Sequence, residues 1–105
     1  MSEARLIEQA SGELQLSGDL QVAAATRLYA ELPVTASTYE VNLSAVEAID
    51  SAGIALLVDW QQRLQSAGGA LTLVDVPDSL VRLARIGGVA KLLGLNTEQA
   101  EMNEP

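Results

Sequence analysis

The sequence predicts a single α/β domain, built on a mixed sheet of about four strands with its helices mainly on one face. The first observation behind this prediction is the order of segments along the chain: strand, strand, helix, strand, helix, strand, helix, each recognised from the spacing of its apolar residues. The second is size, because 105 residues with 49% hydrophobic content can bury one core but leave no room for a second domain. Strand–helix–strand units of this kind form right-handed parallel crossovers.

The first part of the chain predicts a hairpin followed by a helix. Two short strand candidates, residues 5–8 and 13–17, lie on either side of a Ser-Gly pair, and the second alternates leucine with polar side chains. A helix is then expected to open at Gly18-Asp19 and to end before Pro33, which cannot continue a helix. Its apolar residues at helical spacing are Val22, Ala25, Leu28, Tyr29 and Leu32.

A third strand and the strongest helix form the centre of the sequence. In residues 39–43, apolar side chains alternate with Glu40 and Asn42, so the strand has one apolar and one mixed face. This pattern favours a sheet that is covered by helices mainly on one side. Residues 52–67 predict a helix that a Gly-Gly pair at 68–69 brings to an abrupt end.

The last part of the chain predicts one more strand and helix, followed by a polar tail. Residues 70–76 are dense in apolar side chains, and a Pro-Asp-Ser run at 77–79 begins the helix, which a second Gly-Gly pair ends. A short helical turn is expected at 89–93. The domain thus spans residues 1–95, whereas residues 96–105, with their glutamates and few apolar side chains, predict a flexible acidic tail.

The charge balance excludes several classes of partner. Fourteen acidic and six basic residues give a formal net charge of −8, which repels phosphate backbones and anionic lipid headgroups. Because of this charge, nucleic acid binding is not expected. Direct insertion into a membrane is not expected either, because the longest apolar stretch, from Ala52 to Val58, is far shorter than the roughly 18 to 20 residues of a membrane span. The first residues also lack the basic and apolar regions of a secretory signal, so we expect a soluble, cytoplasmic protein.

The absence of histidine and cysteine from the sequence argues against catalysis and against a metal centre. The usual general base, thiol nucleophile and soft metal ligands are missing, and no second carboxylate lies at a recognisable spacing from Asp50. There is also no glycine-rich phosphate loop with a lysine. We therefore expect a protein that is not an enzyme and needs no cofactor, since a weak enzyme that used Ser51 and Asp50 would lack a base.

The most informative stretch is Asp50-Ser51-Ala52-Gly53, where the third strand leads into the strongest helix. Asp or Ser in front of an apolar helical segment is typical of an N-cap, and Gly53 has no side chain to crowd the turn. The Ser51 hydroxyl is expected beside unpaired backbone N–H groups at the positive end of the helix, where a partner's acceptor or a phosphate could be received. The alternative is that these residues only cap the helix.

One side of this helix predicts a contact surface. At about 100° per residue, the arc that can face the sheet consists of Ile54, Leu57, Val58, Gln61 and Leu64. Leu56 and Trp60 lie to one side of that arc, one helical turn apart. The expected patch faces a partner and consists of Ser51, Ala52, Leu56 and Trp60, with Arg63 at its rim. The alternative places Trp60 in the core, packed against the preceding helix.

Half of the positive charge of the chain is concentrated near the last predicted helix, at Arg82, Arg85 and Lys91. Basic side chains near a helix C-terminus favour the helix dipole and stay solvated, which explains these residues without a partner. The alternative is a contact with an acidic partner.

A longer pattern runs through most of the chain, from about residue 12 to residue 95. It consists of Val41-Asn42-Leu43-Ser44, Val46, Ile49, Asp50-Ser51-Ala52-Gly53-Ile54, Leu56-Leu57, Gly68-Gly69, Pro77 and Leu83. This pattern resembles the STAS domain, a module of anti-sigma factor antagonists, of sulfate transporter tails and of a subunit of lipid-transporting ABC complexes. The resemblance implies a small α/β binding module that contacts a partner protein where its second helix begins, here at Ser51.

The branches of this family differ in what the contact does. In the antagonists the corresponding serine is phosphorylated by a partner kinase, whereas in the lipid-transport branch the matching Ser or Thr lies at the contact with the ATPase subunit. Residues 57–63 and 77–89 are more similar to the small, MlaB-like STAS subunit of the ABC phospholipid transporter that maintains outer-membrane lipid asymmetry. The antagonists more often have a second Ser where Ala52 stands and a Gly where Ala55 stands.

The resemblance therefore implies a chain that binds an ABC transporter ATPase subunit and regulates or stabilises it, at the cytoplasmic face of the inner membrane. The alternative that it implies is an anti-sigma factor antagonist, which binds an anti-sigma factor kinase and is switched by phosphorylation of Ser51.

Overall fold

The computed structural model describes residues 3–95, and its elements follow the predicted order. The strands are β1 (Arg5–Ala10), β2 (Glu13–Leu20), β3 (Thr38–Ile49) and β4 (Ala70–Val74). The helices are α1 (Val22–Tyr29), α2 (Ser51–Ser66) and α3 (Asp78–Ile86). The predicted acidic tail at 96–105 lies outside the described residues.

The strands form one four-stranded mixed sheet in the order β1-β2-β3-β4. β1 and β2 pair antiparallel as the predicted hairpin, whereas β2, β3 and β4 are parallel and are connected through α1 and α2. Parallel neighbours require crossover connections of this kind, which is why the alternation of strand and helix in the sequence predicted this topology. The expected α/β fold is therefore confirmed.

The helices pack against one face of the sheet, as the alternating strand pattern predicts. Leu14 and Leu16 of β2 are buried, and so are Val41 and Leu43 of β3, while the residues between them are half-buried or exposed. Residues from all three helices join the same core, among them Leu28, Leu57 and Leu80. The other face of the sheet therefore carries the polar side chains of the alternating strands.

β2 is longer than predicted and α1 begins later. Gly18 and Asp19, which were expected to open the helix, belong to β2 and pair with Val46 and Ala48 of β3. The pairing is irregular at this point, and the positive φ of 84° at Gly18 accommodates it because glycine has no Cβ to clash. The same pairing extends β3 beyond the predicted strand. Gln21 occupies the N-cap position of α1 without a side-chain hydrogen bond, so the true start of this helix carries no capping signal.

β4 is shorter than predicted, because the chain turns at Asp75, where φ is 53°. The Asp75 carboxylate accepts a hydrogen bond of 2.8 Å from the Asn42 side chain, which ties the end of β4 to β3. After α3, the predicted helical turn is present as a hydrogen-bonded turn, in which the backbone N–H of Leu93 donates to the carbonyl oxygen of Val89 at 3.1 Å.

Candidate partner-binding site

Asp50 caps α2, as the sequence predicts. Its backbone is extended, and its carboxylate oxygen Oδ1 accepts hydrogen bonds from the backbone N–H of Ala52 at 2.9 Å and from that of Gly53 at 3.1 Å. A carboxylate in this position also interacts favourably with the positive end of the helix dipole. Ser51 follows as the first helical residue, and it is exposed.

The expectation that unpaired N–H groups surround Ser51 is wrong for Ala52 and Gly53. Both of these backbone N–H groups are already hydrogen-bonded to the Asp50 carboxylate. The group that stays available to a partner is the hydroxyl of Ser51 itself. A phosphate on this hydroxyl would meet the negative charge of Asp50 without gaining those two donors.

Gly53 is required by a contact with the sheet and not only by the turn at the start of α2. A Cβ added at this position would overlap the backbone carbonyl oxygen of Leu20 and would lie 2.8 Å from Cγ1 of Ile49. The backbone N–H of Asp50 donates to the same Leu20 oxygen at 3.4 Å. The first turn of α2 therefore packs directly on the C-terminal end of β2, just before α1 begins.

The predicted exposed patch is wrong for Trp60 and Leu56, which lie in the core. Trp60 is fully buried, and its indole Nε1 donates a hydrogen bond of 2.8 Å to the carbonyl oxygen of Pro33, in the loop that follows α1. Leu56 is buried as well. α2 packs against α1 and α3 in addition to the sheet, so apolar residues are needed around more of its circumference than the sheet alone would require. The alternative that placed Trp60 in the core is confirmed.

A shallow groove lies between α1 and α2, and Ala52, the residue after Ser51, lines it. This α1–α2 groove has a volume of about 340 Å³ and is lined by Ala25, Thr26, Tyr29, Ala52, Ala55, Leu56 and Asp59. Ala55 is exposed and Ala52 is half-buried, and because neither side chain extends beyond its Cβ, the space above them stays open. Of the predicted contact residues on α2, Ser51 and Ala52 remain at the surface, and Arg63 remains partly exposed.

Two residues of α1 that were expected on its apolar side are exposed. Val22 and Tyr29 are 65% and 50% exposed. Together with Ala25 they recur at positions i, i+3 and i+7, so they share one face of α1, whereas the buried Leu28 lies on another. That spacing is the sequence signal that could have separated the groove face of α1 from its core face.

Arg63 lies at the end of the groove that is further from Ser51. Its Nε donates a hydrogen bond of 2.8 Å to Asp59 Oδ2, and its guanidinium lies 4.2 Å from the centre of the Tyr29 ring. These ion-pair and cation–π contacts hold the side chain across the two helices. The side chain is 28% exposed, so it stands at the rim of the surface while it is engaged within the chain.

The chemistry of this site is that of a contact surface. Within residues 3–95, no group of three or more Asp, Glu, His or Cys side chains could hold a metal ion, and no helix has the length and apolarity that crossing a membrane requires. The site offers one hydroxyl, small apolar side chains and an aromatic ring. Such a surface suits binding to another macromolecule through close packing with a few hydrogen bonds.

One family model matches almost the whole described chain. It is described as "Mlab, STAS domain" and covers residues 5–94. A comparison with curated proteins found no significant match.

Solved structures with the same fold are numerous. The Bacillus cell fate determinant SpoIIAA in its phosphorylated form has a TM-score of 0.64 at 18% identity, with 84% of this chain and 86% of that chain covered. A STAS domain protein from Planctomyces limnophilus, named as an anti-sigma-factor antagonist, has a TM-score of 0.63 at 17% identity, with 87% and 86% covered. The murine anion transporter Slc26a9 has a TM-score of 0.62 at 15% identity, with 87% of this chain but 19% of the transporter covered. At these identities the similarity establishes the fold.

Proposed function

This chain belongs to the STAS domain family, and we propose that it is the non-catalytic subunit that binds the ATPase of an ABC phospholipid transporter and regulates or stabilises it. STAS domains are typically non-catalytic and bind transporter partners. The name Mlab in the description of the matching family model supports the transporter branch. In this role the protein works in the cytoplasm, at the cytoplasmic face of the inner membrane.

The observation that carries the proposal is the exposed Ser51 at the start of α2, next in the chain to Ala52, which lines the open α1–α2 groove. In the proposed complex the Ser51 hydroxyl forms a hydrogen bond with the ATPase, and an apolar side chain of the ATPase enters the groove. Ala52 and Ala55 permit this close approach because they are small. Val22 and Tyr29 extend the apolar contact along α1, since both are at least half exposed.

Regulation in this proposal follows from differential binding. A subunit that binds one arrangement of the ATPase more tightly than another shifts the population towards the first arrangement. The change in the free energy between the two arrangements cannot exceed the difference between the subunit's binding free energies for them. A coupling free energy of about 1–3 kcal/mol corresponds to a change of roughly 5- to 150-fold in an equilibrium constant. No residue of this chain has to contact nucleotide for such an effect.

Affinity purification of the tagged full chain, followed by mass spectrometry of the proteins that accompany it, tests the partner. We expect an ABC ATPase and its permease. Ser51→Glu should lower the recovery of the ATPase at least about tenfold, because a carboxylate at the contact loses its hydration without gaining a partner. Ser51→Thr keeps the hydroxyl and should retain the complex.

Ser79→Glu is the matched control, because Ser79 is also exposed in the first turn of a helix, α3. This variant should leave the recovery of the ATPase unchanged. A folded Ser51→Glu variant that recovers as much ATPase as the wild type would remove Ser51 from the contact. The lack of any ABC ATPase among the recovered proteins would contradict the transporter role.

A second candidate function is that of an anti-sigma factor antagonist switched by phosphorylation of Ser51. The exposure of Ser51 supports it, as does the shared fold with SpoIIAA, whose structure is known in a phosphorylated form. The hydrogen bonds from Ala52 and Gly53 to Asp50 weigh against it, since the same donors are not free to hold a phosphate. Recovery of a GHKL-type kinase, together with phosphate on Ser51 in the mass spectrum, would favour this function over the transporter role.

A further inference from the structure

The end of α3 and the turn after it carry a second exposed surface. We call it the α3 basic patch, and it consists of Arg82, Arg85, Ile86 and Lys91, all of which are exposed. Ile86 is 82% exposed, more than any other large apolar side chain of the described residues. Residues 79–95 contain no Asp or Glu, although the whole chain has a formal net charge of −8.

Helical spacing brings the α3 side chains of this patch together. Arg82 and Ile86 are one turn apart, and Arg82 lies between the directions of Arg85 and Ile86 on the outer side of the helix. Leu80 and Ala84, on the opposite side, are buried in the core. Ile86 is therefore exposed because it lies on the outer face of α3, which also carries the basic side chains.

A shallow depression of about 270 Å³ lies between Arg85 and Lys91, with Gly88 and Ala90 also lining it. Gly88 has a φ of 77°, which favours glycine at this position, and a Cβ added there would meet no atom within 4 Å. The Lys91 ammonium group at the depression suits a carboxylate, which can accept a charge-assisted hydrogen bond from it.

We propose that the α3 basic patch binds an acidic segment of a partner protein, in which carboxylates flank one aliphatic side chain. One carboxylate lies in the depression beside Lys91, another lies near Arg82, and the aliphatic side chain packs on Ile86. None of these residues lines the α1–α2 groove, so the contact is independent of the proposed function at Ser51.

Charge favours a protein segment over an anionic membrane as the occupant. A flat bilayer would approach the acidic remainder of the surface as well, because Asp and Glu outnumber Arg in residues 3–78. A narrow segment contacts only the patch, and at physiological ionic strength charges more than about 8 Å away are largely screened. The single exposed isoleucine of α3 is also less apolar surface than a helix lying in a lipid interface presents.

The test is an NMR titration of the isotope-labelled full chain with a capped pentapeptide, in which two glutamates stand on each side of one leucine. We expect the amide signals of residues 82–91 to shift on addition of this peptide and the shifts to weaken with added salt. A peptide with glutamine in place of glutamate should leave the signals unchanged. Arg82→Glu and Lys91→Glu should each weaken binding at least about threefold.

Arg5→Glu is the matched control, because Arg5 is an exposed basic residue of β1 and the substitution makes the same change in net charge. It should leave the peptide affinity unchanged. The amide spectrum of each variant shows whether it is folded, and Ile86→Gln, which should also weaken binding, probes the patch without changing its charge.

Three results would overturn the proposal: no shift in residues 82–91, equal binding of the glutamine peptide, or an equal loss of affinity in Arg5→Glu. Phosphatidylglycerol vesicles are titrated in parallel. If the vesicles broaden the signals of this segment while the peptide does not shift them, the patch binds lipid and a protein partner is the wrong assignment.

Discussion

Asp50 and Ser51 are adjacent residues with separate roles at the start of α2. The Asp50 carboxylate accepts the hydrogen bonds of two backbone N–H groups, whereas Ser51 is exposed and, in the proposed function, offers its hydroxyl to a partner. Because the cap is supplied by Asp50, Ser51 can be changed without loss of the helix end. Substitutions at the two positions should therefore separate stability from binding.

Asp50→Ala should lower the free energy of unfolding by about 1–2 kcal/mol, because the N–H groups of Ala52 and Gly53 lose their acceptor. Asp50→Asn keeps a side-chain oxygen and should lose less. Urea denaturation followed by circular dichroism measures both variants. A stability of Asp50→Ala equal to that of the wild type would show that the cap contributes nothing.

Trp60→Phe should lower the free energy of unfolding by about 1–3 kcal/mol, because the carbonyl oxygen of Pro33 is left without its donor. Trp60→Ala should lower it by about 3–5 kcal/mol, since a fully buried aromatic side chain is removed. The same denaturation experiment measures these losses. The folded Trp60→Phe variant should still recover the ATPase. If Trp60→Phe kept the stability of the wild type but failed to recover the ATPase, Trp60 would belong to the contact surface.

At the scale of secondary structure, α2 organises the domain because it packs on the sheet and on both other helices. It also protects an edge of the sheet. β4 is the last strand in the sheet order. The buried side chain of Gln61 forms two hydrogen bonds with the backbone of Leu71 in this strand: Nε2 donates to the Leu71 carbonyl oxygen and Oε1 accepts from the Leu71 N–H, both at 3.0 Å. Backbone groups on an edge strand that would otherwise be open are thereby paired.

Gln61→Leu should lower the free energy of unfolding by about 2–4 kcal/mol, because the buried N–H and C=O of Leu71 both lose their partners. Hydrogen exchange at the Leu71 amide should become faster. Gln62→Leu, at the neighbouring exposed position of α2, is the matched control and should change the stability little. Equal effects of the two substitutions would mean that the pairing with β4 is not stabilising.

At the scale of the whole molecule, the proposed contact depends on two helices that are brought together only in the folded domain. Ala55→Leu should fill the α1–α2 groove and lower the recovery of the ATPase, while stability stays within about 0.5 kcal/mol because Ala55 is exposed. Gln65→Leu adds a leucine at another exposed position of α2, away from the groove, and should leave recovery unchanged. Recovery that is unaffected by Ala55→Leu would contradict the use of the groove.

Much of the fold could be predicted because its signals are local. The order of elements, the one-sided burial of the strands and the Asp50 cap follow from the apolar spacing and from the turn and capping residues. The predictions failed where a distant pairing decided the outcome. Gly18-Asp19 has the composition of a helix start, but the pairing of β2 with β3 keeps both residues in the sheet.

The sequence by itself determined that this chain forms an α/β domain of the STAS family, with a helix that is capped at the Asp50-Ser51 turn. Only the tertiary structure decided that Trp60 is buried with its indole N–H on the Pro33 carbonyl, that Gly53 must be glycine to pack on Leu20, and that residues of α1 line the proposed contact surface. The physical reason is that spacing along a helix shows which residues share a side, whereas the neighbours that cover each side come from segments far apart in the chain.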